Sequence, residues 1–220
     1  IMLKYTKIAC QITDKIFSSL IDNFNFKTEK DIEKFLKTQL KKYKVKPSFS
    51  PFIVVSGKRS NQIHGKPSKN KLKGFTVIDF GVSYRGFKSD MTRTIYIGKP
   101  DKKELQDYDK LLKIQKKLIS LIKPGNYYCD LDIKARLLLE KDKIYFNHSL
   151  GHGVGKKIHE PPWLRSSSPN KIKVNDIITI EPGVYKKDYG IRIEDTVLIR
   201  KKSVILTKSD KKLIKIDQKT

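Results

Sequence analysis

The sequence predicts an α+β chain built as two related halves, and three observations carry that prediction. Apolar residues recur at helical spacing in four stretches that come as two pairs. Strand-like runs follow each pair. Most specific is a repeated acidic pattern: Asp79-x-Gly81-Val82 … Asp90-x-Thr92 returns about a hundred residues later as Glu181-x-Gly183-Val184 … Glu194-x-Thr196.

Residues 5 to 22 place Tyr5, Ile8, Ile12, Ile16 and Leu20 on one face, which reads as an amphipathic helix. Thr28-Glu29-Lys30-Asp31 is a variant capping-box start for a second helix carrying Ile32, Phe35, Leu36 and Leu40, and Pro47 bars its continuation. The run FSPFIVVSG, Phe49 to Gly57, is β-rich, and 76 to 97 reads as two strands joined by Arg85-Gly86. The second helix pair begins with Leu105, Tyr108, Leu112, Leu118 and Ile122 and stops at Lys123-Pro124-Gly125. Asp130 then reads as the N-cap of a helix bearing Ile133, Leu137 and Leu138. Short strands occupy the rest. Leu20-Ile21 and Ile32 recur as Leu121-Ile122 and Ile133, which supports the duplication.

At 220 residues the chain is long enough for one well-buried core, so a single domain over 1–220 is expected. Hydrophobic residues at 38% and charged ones at 32% fit a soluble class. No apolar run approaches the ~18 residues of a membrane helix, and charge interrupts the N-terminal stretch too often for a signal peptide. A soluble, cytoplasmic protein with no membrane partner is expected. Cys10 and Cys129 are too few for a disulfide framework and lack metal-ligand spacing. Ile1 in place of Met suggests an unusual start codon or a chain cut from something longer.

The excess of 48 Lys+Arg over 23 Asp+Glu gives a formal charge of +25, which permits nonspecific nucleic-acid contact. Codon bias toward A and T, visible in abundant Lys, Ile, Asn, Phe and Tyr, explains the same excess without any such partner.

Against that background the repeated acids stand out. On the arms of an antiparallel hairpin centred on Tyr84-Arg85, Asp79 and Asp90 would lie directly opposite each other on one face. Glu181 and Glu194 would do the same around Lys187-Asp188. If the halves pack about a pseudo-two-fold axis, four carboxylates converge. Crowded and partly buried, they stay ionised only if cations neutralise them, and two divalent metals suffice. A carboxylate-rich shell favours Mn²⁺, with Co²⁺ or Fe²⁺ as alternatives. The blander reading, turn-flanking surface acids answering nearby lysines, suits one pair but not two in matching context.

Three of the 4 histidines fall in His148-Ser-Leu-Gly-His152-Gly-Val-Gly-Lys-Lys-Ile-His159-Glu160-Pro161. An imidazole suits a metal as its nitrogen ligand, and others can steady an oxyanion. Trp163 reads as capping a core edge, with a place in a substrate cleft as the alternative.

These residues resemble the pita-bread metallopeptidases, and among them the Xaa-Pro aminopeptidase and prolidase branch. The resemblance spans nearly the whole chain, through IHGKPS, DFGVSYRGFKSDMTRT, HSLGHGVGKKIHEPP and EPGVYKKDYGIRIEDT. It implies helices packed on a curved, mainly antiparallel sheet in two pseudo-symmetric halves. By position it implies Asp79, Asp90, His152, Glu181 and Glu194 as metal ligands, with Asp90 and Glu194 bridging. Glu181 resembles the acid that also handles the proton of the attacking water. His64 and His159 resemble catalytic histidines beside the scissile carbonyl, His148 a substrate-pocket histidine, and Arg192 the arginine that orients an aspartate ligand.

Lys73-Gly74-Phe75 and Lys88 depart from the branch's pattern but spare every ligand. The N-terminal domain usual in the branch is expected to be absent. The implied activity is a two-metal aminopeptidase that removes the residue before proline from peptides with a free N-terminus. Methionine aminopeptidases share the five ligands and this chain length, and provide the first alternative. A catalytically inactive module that binds protein or RNA is the second.

Overall fold

The computed structural model describes residues 1–141 and 146–217. The first half runs α1 (Met2–Asp22), α2 (Glu29–Lys42), β1 (Lys46–Pro47), β2 (Ile53–Ser56), a short 3-10 turn (Gly57–Asn61), β3 (Gly74–Phe80), β4 (Val82–Tyr84), β5 (Phe87–Lys88) and β6 (Met91–Ile97). The second runs α3 (Lys102–Leu121), α4 (Tyr128–Glu140), β7 (Gly151–Gly153), β8 (Glu160–Leu164), β9 (Ile177–Ile180), β10 (Gly183–Tyr185), β11 (Gly190–Arg192), β12 (Asp195–Leu198), β13 (Val204–Ile205) and β14 (Lys215–Ile216). Among the described residues every strand pairing is antiparallel except β14 on β6.

Each helix pair covers one sheet. Ile16, Leu20, Ile32 and Leu36 bury their side chains against Val54, Ile78, Phe80 and Ile95 of the sheet ordered β14-β6-β3-β2. Leu111, Leu118, Leu131 and Ala135 do the same against Leu164, Ile178, Ile180 and Val197 of the sheet β13-β12-β9-β7-β8. Burying a Leu or Ile side chain stabilises by about 1.5–3 kcal/mol, so these two faces hold each half together.

The duplication reaches backbone detail. Thr28 bridges Lys71 and Tyr127 bridges Lys171, each just before the second helix of its pair. Leu72 N donates to Lys27 O at 2.9 Å, and Ile172 N donates to Asn126 O at 2.7 Å.

Three local expectations need correction. The capping box at Thr28 and Asp31 forms as read, but Asp130 is not an N-cap. The N-cap position is Tyr127, three residues earlier, and the Asp130 carboxylate reaches back to the Tyr127 N–H at 3.3 Å, the place of the third helical residue in a capping box. The strand in FSPFIVVSG is confined to Ile53–Ser56, because its partner β3 ends its pairing where Ile53 faces Asp79. Finally, the first hairpin turns at Arg85-Gly86, as the strand reading has it, and not about the Tyr84-Arg85 centre on which direct opposition of Asp79 and Asp90 depended. Arg85 and Gly86 take positive φ, 50° and 83°, as a two-residue hairpin turn requires.

The halves meet edge to edge where β6 passes the segment leading into β12. Glu194 N donates to Thr92 O at 3.1 Å. Thr94 Oγ1 accepts from Arg192 N and donates to Arg192 O, while Thr196 Oγ1 accepts from Asp90 N and donates to Asp90 O. Behind this seam the buried Arg93 pairs with Asp195 at 2.7 Å, and Asp195 also takes bonds from Gln115, Thr207 and Lys211.

Candidate active site

Asp79 stands near the end of β3, where the register puts it opposite Thr92. The shifted turn therefore moves Asp90 two residues from direct opposition, onto a diagonal of the same face. In the second half the opposition is as expected. Ile180 faces Asp195 and Gly183 faces Arg192, so the register sets Glu181 opposite Glu194. At both places the strand pair opens after the acid, at Gly81 and Pro182, and a separate small hairpin continues. A Cβ on Gly81 would sit 2.0 Å from the Ser89 carbonyl oxygen, so only glycine lets the chain pass there.

The seam then does what the repeat foreshadows. Asp79, Asp90, Glu181 and Glu194 line one cavity of about 330 Å³ together with His64, His148, His152, His159 and Arg192. All the acids and histidines singled out in the sequence are brought together. Trp163 lines the cavity as well, directly across β7–β8 from His152, so its place is the cleft rather than a core edge.

The donor atoms are aimed inward. Suitable ligand atoms of Asp90, His152 and Glu194 all lie within 4.8 Å of one another. His152 Nε2 is 3.3 Å from Glu181 Oε1 and 3.7 Å from Asp90 Oδ2. Its Nδ1 faces the Gly153 carbonyl at 3.1 Å, a contact that needs the proton on Nδ1 and leaves the Nε2 lone pair for the cluster. Thr92 and Thr179 hydroxyls donate to Glu194 and Glu181 at 2.7 and 3.2 Å. Arg192 Nη2 donates to Asp79 Oδ2 at 2.7 Å. The remaining oxygens Asp79 Oδ1 and Asp90 Oδ1 are buried with no hydrogen-bond partner.

The electrostatics of the protein alone are those of a site that wants cations. Burial and the neighbouring acids hold the Asp90 and Glu194 carboxyls well above the usual carboxylate range. Burial also raises Asp79, against the pull of Arg192. Burial works against a charged His152, but the adjoining Glu181 carboxylate outweighs it and pushes the imidazole up to about 9. Protons thus take the place that positive ions would fill. Orphaned buried carboxylate oxygens, four acids and one imidazole lone pair fit a pair of hard or borderline divalent ions.

Tyr185 is a site residue that sequence reasoning missed. Its hydroxyl accepts from Arg192 Nη1 at 3.1 Å and lies 2.9 Å from His148 Nε2. With Arg192 as donor, the tyrosine proton goes to His148 Nε2, and His148 Nδ1–H donates to Ser149 O at 2.8 Å. Both His148 nitrogens are thereby occupied. The only signal in the sequence was its place two residues after Gly183 in the repeat. His64 and His159 are exposed at the cavity, and the His159 ring packs edge-on against His152 at 4.4 Å between centroids.

Fold and site together define a protein of two fused, related halves with a carboxylate-rich candidate metal site between them. Residues 4–201 match the pattern of Metallopeptidase family M24, and the chain belongs to that family. It is 38% identical over 220 residues to the Xaa-Pro dipeptidase of Pyrococcus horikoshii, covering 96% of this chain and 62% of that relative. Likeness to the Xaa-Pro dipeptidase of Pyrococcus furiosus is 38% over 214 residues, 94% of this chain and 61% of the relative. Among solved structures, the Pyrococcus horikoshii prolidase superposes with a TM-score of 0.92 at 38% identity, covering 97% of this chain and 63% of that one. The Thermotoga maritima X-Pro aminopeptidase gives 0.93 at 30%, with coverages of 98% and 63%. The fold is thus the pita-bread fold of this branch, and the chain spans about three fifths of the length of the curated relatives it matches. Among the described residues no helix is long and apolar enough to cross a membrane.

Proposed function

We propose that this chain, as a single catalytic domain, is a two-metal peptidase that cleaves the bond between an N-terminal residue and proline. The observation that supports this reading is the convergence of four carboxylates, two from each half, on a buried imidazole lone pair. Asp79, Asp90, His152, Glu181 and Glu194 would hold two divalent cations, Mn²⁺ with Co²⁺ or Fe²⁺ as alternatives, which when bound supply an acidified water and charge to oppose a carbonyl oxyanion.

The chain's own residues do the rest. Glu181, less buried than the other three acids and steadied by Thr179, takes a proton from the attacking water and passes it to the departing prolyl nitrogen. The water oxygen joins the carbonyl carbon, the C–N bond breaks, and charge balances. His64 and His159, both free to approach a substrate at the cavity, donate to the carbonyl oxygen as it gains charge. Arg192 pulls Asp79 toward its ionised form and orients it. His148, with both nitrogens engaged, shapes the substrate pocket with its ring, and Trp163 adds an aromatic face suited to a proline ring.

Xaa-Pro dipeptides are the first substrate to test, since the Pyrococcus relatives carry that name. Longer Xaa-Pro peptides are the second, on the likeness to the Thermotoga X-Pro aminopeptidase. An assay of the purified chain with and without Mn²⁺ on Ala-Pro, Ala-Pro-Ala and Met-Gly-type peptides separates these readings from the methionine-directed one. Cleavage of Met-Gly alone would overturn the proline assignment. Metal-independent inactivity on all three would favour the binding-module alternative.

A further inference from the structure

Glu29 lies in the first turn of α2, outside the cavity, yet its carboxylate is fully buried. Oε1 accepts from the Ser56 N–H at 2.9 Å and from Arg59 Nε at 3.2 Å, and Oε2 accepts from the Ser68 N–H and hydroxyl at 2.8 and 2.7 Å. Arg59 Nη2 in turn donates to Lys66 O at 2.7 Å. One carboxylate therefore clamps both ends of the segment 56–68, and His64 sits inside it.

The His64 ring has no hydrogen bond among the described residues, so the backbone of that segment sets where it stands. The segment also touches the site, because Ile63 O accepts from Arg192 Nη1 at 3.3 Å. The duplicated half builds the same place differently. There Tyr128 occupies the position of Glu29, and Ser168, the counterpart of Ser68, has a buried hydroxyl with no partner. The counterpart segment carries His159 with no such clamp, its chain running directly into β8 (Glu160–Leu164), so of the two loop histidines it is His64 whose segment is held by a buried carboxylate.

We propose that Glu29 is a positioning residue for the peptidase reaction, holding the His64 segment against the cavity and acting through His64. The proposal rests on the peptidase reading given above. If the clamp sets geometry at the reacting carbonyl, its loss lowers turnover more than substrate binding.

The test uses the full chain with Glu29→Gln, which keeps the shape and removes the charge, and with Ser68→Ala, which removes one donor at the far end of the segment. For the Mn²⁺-loaded enzyme, kcat on Ala-Pro is expected to fall about 10- to 100-fold in Glu29→Gln with KM changed less than about twofold, and to fall less in Ser68→Ala. In the metal-free protein, side-chain NMR of the 4 histidines should show the His64 signals shifted or broadened while those of His148 and His152 hold. A folded Glu29→Gln variant with unchanged kcat or an unmoved His64 spectrum overturns the proposal; if that variant does not fold, the same readouts on Ser68→Ala decide. Should His64 move while His64→Ala retains full kcat, the clamp acts on no catalytic group and the proposal falls too. Wild-type chain inactive on every peptide instead overturns the peptidase reading, before any variant is compared.

Discussion

Arg192 and Asp79, 113 positions apart in sequence, join across 2.7 Å through a guanidinium N–H and a carboxylate oxygen, both buried. The same guanidinium also donates to Tyr185, Thr92 and Ile63. Among the described residues it is the side chain that ties an acid of the first half to the hairpin of the second. Replacing it with Lys keeps a charge but loses the fork. Arg192→Lys is therefore expected to weaken Mn²⁺ binding about 10- to 100-fold, measured by calorimetric titration of metal-free protein. Affinity within about twofold of wild type would show that Asp79 needs no such partner.

The acid cluster sets stability against function. In the metal-free chain, Asp90→Asn removes one of the crowded carboxyls, so its urea midpoint should equal or exceed that of wild type. Added Mn²⁺ should stabilise the wild type by about 2.7 kcal/mol at a hundred times its dissociation constant and the variant by far less. Equal metal-induced gains in both proteins would mean that Asp90 holds no cation.

Behind the seam, Asp195 takes bonds from Arg93, Gln115, Thr207 and Lys211, all of them buried except the partly exposed Lys211. Asp195→Ala leaves the Arg93 guanidinium buried and uncompensated. A loss of about 3–5 kcal/mol is expected in urea unfolding. A loss under about 1 kcal/mol would place the pair among those of surface strength.

Acid sensitivity should have a small, local component at the α2 capping box. Slight burial works to raise the Asp31 carboxyl, but bonds from Thr28 and the Lys27 N–H outweigh it and hold it below its ordinary value. A depressed folded value means stability that is present above the unfolded carboxylate range and lost as pH falls through the folded one. Wild type should exceed Asp31→Asn in urea midpoint at pH 6, with the gap closing below pH 4. A gap that widens on acidification would reverse the assigned sign.

Chelation gives the broadest check on the site. Dialysis against EDTA should abolish Ala-Pro cleavage, and Mn²⁺ should restore it. Activity that survives chelation would remove the cations from the reaction.

The element types, the four helices, the duplication and every acid and histidine of the cavity were legible in the chain. Period and repetition are local properties, and side chains such as Ile16, Leu20, Ile32 and Leu36 announce a buried face by spacing alone. Where the reading slipped, the cause was also local. The Arg85-Gly86 junction was legible, but the opposition of the acids was counted from Tyr84-Arg85; pairing from the true turn, with its two positive φ values, sets Asp90 on the diagonal of Asp79.

What sequence by itself determined is the inventory: two halves, two pairs of acids, a histidine cluster and the family they resemble. Only the tertiary structure decided which atoms meet. Tyr185 between His148 and Arg192, Trp163 in the cleft, and Glu29 clamping the His64 segment all depend on contacts between residues from 7 to 39 positions apart. No local pattern encodes such contacts, because a hydrogen bond is fixed by distance and direction in space, and those exist only once both sheets have packed.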